Sequence, residues 1–78
     1  MSKEFYVGQC LVCQQGMLEI VKDKATGKII VICDECEVEW DNPNDALSKT
    51  NGTRDKYGIV TEVTLNEIQK LDWDRYLK

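Results

Sequence analysis

The chain has 78 residues, with 10 Lys and Arg against 14 Asp and Glu, no histidine, and a formal charge of −4 at pH 7. A chain of this length has room for one domain, whose buried apolar surface is too small for comfortable stability without a staple. The acidic balance opposes any function dominated by phosphate-backbone contacts, which need clustered Lys and Arg.

The first five residues lack the basic start and apolar run of a signal peptide, and no stretch approaches the length of a membrane span. The expectation is a cytoplasmic protein with no membrane contact. In a reducing compartment paired cysteines read as metal ligands before they read as disulfides. The pairs are Cys10-Leu11-Val12-Cys13 and Cys33-Asp34-Glu35-Cys36, separated by nineteen residues. Two residues between cysteines let a tight loop aim both sulfurs at one ion about 2.3 Å away, and the spacer matches one hairpin that returns the chain beside its start. The predicted metal ligands are therefore Cys10, Cys13, Cys33 and Cys36, a closed four-sulfur set with no position left for water or substrate, which is the pattern of structural zinc. Iron, which four thiolates also suit, is the less favoured alternative. Four ionised thiolates and one divalent ion take the formal charge from −4 to −6.

After the first knuckle, Gln14-Gln15-Gly16 is expected to turn the chain, with Gly16 taking a positive φ, and residues 17–22 read as a strand. Residues 24–27 form the hairpin turn, and the β-branched run 28–32 returns the chain to Cys33. The alternation over 37–41 predicts that Val38 and Trp40 share one face, with Trp40 a core residue covering the hairpin. Asn42 followed by Pro43 reads as the cap of a short helix that Asn51-Gly52 should stop, and residues 57–63 as a third strand or an extended connector. Thr64-Leu65-Asn66-Glu67 is a capping-box pattern opening a last helix, predicted over 64–78. On its wheel Leu65, Ile68, Leu71 and Tyr76 form one stripe, while Trp73 and Leu77 form a second, left-over stripe. The predicted fold is a small α+β metal-bound domain over residues 1–78. It comprises a β-hairpin plus third strand with two cysteine knuckles (1–41), a short helix with connector or strand (42–63) and a C-terminal α-helix (64–78).

Over roughly the first 41 residues the knuckles, with Cys13 followed by Gln14-Gln15-Gly16 and Leu18, resemble the zinc-ribbon superfamily, including its rubredoxin-like members. The resemblance is to a fold and implies no single function. Rubredoxins typically have glycine straight after the second cysteine and proline inside the second knuckle, where this chain has Gln14, Asp34 and Glu37. Ribbons of transcript-cleavage factors are similar but carry an Asp-Glu pair at the hairpin tip, whereas the Asp34-Glu35 pair here lies inside a knuckle, so that activity is not carried over.

No nucleophile has an evident base, so no enzymatic activity is expected. From Asp34 to Asp45 the charged residues are Asp34, Glu35, Glu37, Glu39, Asp41 and Asp45, six acids without a base. That one-signed run, with Glu35, Glu37, Glu39 and Asp41 at its centre, and the Trp73 and Leu77 stripe are the candidate contacts for a protein partner. The expected role is a noncatalytic interaction or regulatory accessory module. The rival readings are a nucleic-acid or transcription-machinery ribbon using Lys22, Lys24 and Lys28, and an iron electron carrier.

Overall fold

A computed structural model describes residues 5–54 and 56–77. The fold is α+β: an antiparallel sheet with short helices packed on it. The strands are β1 (Tyr6–Gln9), β2 (Met17–Asp23), β3 (Ile29–Cys33), β4 (Glu39–Trp40) and β5 (Val60–Thr61), and the helices are α1 (Pro43–Ser48), α2 (Leu65–Lys70) and a 3-10 turn at Asp74–Tyr76. Strands β1 to β4 lie side by side in chain order, while β5 pairs with β2. One edge of β2 is thus shared, by β1 along Met17 to Glu19 and by β5 at Lys22 and Asp23. No helix among the described residues is long and apolar enough to cross a membrane.

The hairpin β2–β3 is the spine. Opposed residues share a face, so Leu18 with Cys33 and Ile20 with Val31 line one side, which Trp40 joins opposite Val31. This side, with Val7, Cys10, Val38, Ala46, Val63 and Ile68, forms the core. The turn is fastened by Asp23, whose Oδ2 accepts from the Thr26 hydroxyl at 2.6 Å and the Thr26 N–H at 3.2 Å, while Gly27 takes φ 79°.

The second face of the hairpin is also covered. There Val21 and Ile30 are opposed and buried, and the segment after α1 bridges Thr53 to Glu39 and runs past the Glu39 carboxylate. This segment covers Glu39, one of the acids named above as a candidate contact. Glu39 is 4% exposed, and its carboxylate accepts the backbone N–H groups of Lys56 and Tyr57 at 3.1 and 3.4 Å.

Both helices start as their caps dictate. Asn42 Oδ1 accepts from Asp45 N–H at 2.8 Å, and Thr64 and Glu67 form a complete capping box. Both end in Schellman turns with non-glycine residues in the left-handed region. Lys49 (φ 60°) closes α1, with Thr50 N–H donating to Asp45 O at 3.0 Å. Asp72 (φ 61°) closes the second, with Trp73 N–H donating to Ile68 O at 3.1 Å and Asp72 N–H to Gln69 O at 3.0 Å.

The last helix therefore stops at Lys70 rather than running through 64–78, and the helical wheel loses its meaning beyond that point. Of the first predicted stripe only Ile68 is fully buried; Leu65 and Leu71 are exposed. Trp73, Tyr76 and Leu77 are turned back by the reversal at Asp72 and pack against the core. The left-over stripe thus helps to close the fold. A further strand absent from the sequence-based expectation, β1, contributes the fully buried Val7.

Candidate metal centre

Each cysteine pair sits on a loop that closes one end of the sheet: the first joins β1 to β2, the second joins β3 to β4. In the first knuckle Cys10 N–H donates to Gly16 O at 2.9 Å and Gln14 N–H to Cys10 O at 3.1 Å; in the second, Cys33 N–H donates to Val38 O at 3.0 Å. The residue after each second cysteine is left-handed, Gln14 at φ 59° and Glu37 at φ 63°. Gly16, expected to supply that conformation, does not. Its role is steric, since a Cβ there would stand 2.7 Å from both Cys33 Sγ and Asp34 Oδ1. Only a residue without a side chain lets the first knuckle come this close to the second.

The four Sγ atoms all lie within 4.8 Å of one another. Cys10 and Cys36 are 3.8 Å apart and Cys13 and Cys33 3.6 Å apart. Sulfurs held at about 2.3 Å by one tetrahedral ion stand about 3.8 Å apart, whereas a disulfide closes to about 2.05 Å. The cysteines are free, and their spacing fits a shared ion. Cys10 and Cys33 are buried, Cys13 and Cys36 partly exposed.

The backbone prepares the sulfurs for negative charge. Gly16 N–H points at Cys13 Sγ, and Glu35 and Cys36 N–H point at Cys33 Sγ, all at 3.4 Å. The donors at Gly16 and then Gln15 draw the Cys13 thiol down to about 6, so it is largely thiolate at neutral pH. Burial pushes the Cys10 and Cys33 thiols up. Seating a cation among them reverses that penalty, since the buried sulfurs are then paired with positive charge.

The candidate partner residues fall in four different environments. Glu35 and Glu37 are exposed on the second knuckle. Glu39 is buried as described. Asp41 is exposed but engaged, accepting from the Tyr57 hydroxyl at 2.5 Å and from Lys28 and Lys56 at 3.3 and 3.4 Å. The Tyr57 hydroxyl, with the two lysines, holds its carboxyl below the usual range. Trp73 and Leu77 belong to the core periphery. The continuous acidic face read from the sequence is thereby reduced to the knuckle acids. What that reading left out is the apolar pair beside them, Leu11 and Val12, 43% and 40% exposed at the tip of the first knuckle. Both lie between clustered cysteines, where the sequence drew attention only to sulfur.

At the hairpin tip, Lys22 is ion-paired with Glu67 and Lys28 with Asp41, so of the three lysines Lys24 alone has no ion pair among the described residues. Comparison with protein-family models, curated proteins and solved structures gives no match. The site is a tetrathiolate cluster able to hold a metal ion, carried by a small α+β fold.

Proposed function

We propose that this chain is a small noncatalytic zinc-ribbon protein, in which a four-cysteine zinc site staples the fold and the knuckle end binds another protein. The observation that carries the metal reading is the pair of Sγ separations, 3.6 and 3.8 Å, which match the edge of a tetrathiolate tetrahedron. The contact surface joins Leu11 and Val12 on one knuckle to Glu35 and Glu37 on the other, and suits a partner presenting an apolar side chain flanked by Lys or Arg. A capture experiment with the zinc-loaded chain at low salt tests it. The variants L11S/V12S and E35K/E37K are expected to lose the captured protein while keeping their metal and fold. Undiminished capture by both would remove this surface from the proposal.

A second reading, a rubredoxin-like iron electron carrier, is favoured by one observation. Gln14 and Glu37 hold left-handed conformations at the places where rubredoxins typically have glycine after the second cysteine. Zinc remains first because the second knuckle surrounds its sulfurs with exposed Asp34, Glu35 and Glu37 instead of an apolar cover. Aerobically purified protein that is red and reversibly reducible would reverse that order.

A further inference from the structure

Trp40 is 2% exposed, yet its indole Nε1–H has no hydrogen-bond partner among the described residues. Buried indole donors usually find an acceptor, and leaving one unpaired costs free energy comparable to a lost hydrogen bond. The Nε1 edge of the ring faces Gly52: a Cβ placed on Gly52 would stand 3.0 Å from Nε1 and 2.8 Å from Val38 Cγ1. Trp40, Val38 and Gly52 line an open cavity of about 410 Å³ whose other walls include Val12 of the first knuckle, Lys49 and Arg54. Lys49 and Arg54 are exposed, and among the described residues neither forms an ion pair and no acidic residue lines the cavity. In a chain of net charge −4, two unpaired cations and an unpaired buried donor meet at one place.

We propose that this cavity binds an organic carboxylate. One carboxylate oxygen accepts the Trp40 indole N–H, Lys49 and Arg54 supply the counter-charge, and a short branched stem lies against Val12 and Val38. The Gly52 backbone stands against the donor. Gly52 is exposed and makes no hydrogen bond among the described residues, although its neighbours are tied down, Thr50 to Asp45 and Thr53 to Glu39. A small displacement of this one residue, which has no side chain to move, lets the oxygen reach the nitrogen. The charged head explains the cations and the branched stem explains the valines, so neither inorganic phosphate nor a neutral apolar molecule fits the whole site.

The test follows the Trp40 indole N–H cross-peak in the ¹⁵N-labelled, metal-loaded full chain at constant ionic strength. Titration with 3-methylbutyrate is expected to move this peak downfield and to saturation, leaving the Trp73 indole peak in place. Binding should weaken at least about tenfold in K49Q/R54Q, in a folded and metal-loaded state, and about tenfold for the neutral 3-methylbutyramide. A peptide, acetyl-Gly-Gly-Val with a free terminal carboxylate, distinguishes the sources. Tighter binding than 3-methylbutyrate assigns a chain terminus, and weaker binding a free acid; either supports the site. An unmoved Trp40 indole at about 10 mM of both carboxylates, beyond the range of a specific small ligand, overturns the proposal. So does an equal response to the amide or to inorganic phosphate, or an unchanged response in K49Q/R54Q.

Discussion

Cys33 shows how much of this fold rests on single atoms. It is 1% exposed, opposes Leu18 across the hairpin, and its sulfur takes two backbone N–H groups besides the contact to Cys13. A structural zinc site contributes on the order of 10 kcal/mol of apparent binding free energy, as much as the whole stability of a small domain. Cys33→Ser is therefore expected to abolish cooperative unfolding by circular dichroism; a variant that still unfolds in one sharp transition would mean the sulfurs are not the staple. Glycine gives a finer test. The Cβ added by Gly16→Ala runs into Cys33 Sγ and Asp34 Oδ1, whereas one added at Gly58 meets nothing within 4 Å. G16A should lower stability by about 1–3 kcal/mol, as overpacking does, and loosen the metal, while G58A should stay within about 0.5 kcal/mol. Denaturant titration and a competing chelator measure the two effects, and equal behaviour of the variants would refute the close-approach role of Gly16.

Among the elements, those with a local chemical signature were legible in the sequence. The knuckle spacing, the hairpin over 17–33, the Asn42 cap and the Thr64 capping box each name their own partners within a few residues. What could not be read depends on chain that is distant in sequence. Four residues of β1, with Gly8 among them, carry little strand signal alone and become a strand by pairing with β2. Nothing within Glu37 to Asp41 announces that a segment fourteen or more residues on will cover the outward face, so Glu39 read as a surface acid. Its removal discriminates the two environments. Glu39→Ala leaves the Lys56 and Tyr57 N–H groups without their acceptor and should cost about 2 kcal/mol, while Glu37→Gln on the exposed knuckle should change stability by less than about 0.5 kcal/mol. Chemical denaturation of both variants checks this, and equal effects would show that the crossing over β4 contributes no stability.

At the scale of the molecule, a sheet in which one strand, β2, contacts three others is closed at one end by sulfur and on its second face by an irregular crossing. The four-cysteine cluster was legible because its spacing is itself the chemistry. Which of the candidate contact residues stay exposed and unengaged was not, because neighbours decide whether an acid is free: Asp41 is engaged by Lys28, Lys56 and Tyr57, and the Trp73 stripe folds inward after the reversal at Asp72. If four thiolates hold one ion and that ion holds the fold, metal content and cooperativity must rise and fall together. Elemental analysis of the purified native chain, followed by unfolding before and after a strong chelator, tests this most directly. One zinc per chain and loss of the cooperative transition on chelation under reducing conditions are predicted. A chain that carries no stoichiometric metal, or that unfolds with the same cooperativity after its metal is removed, would contradict it.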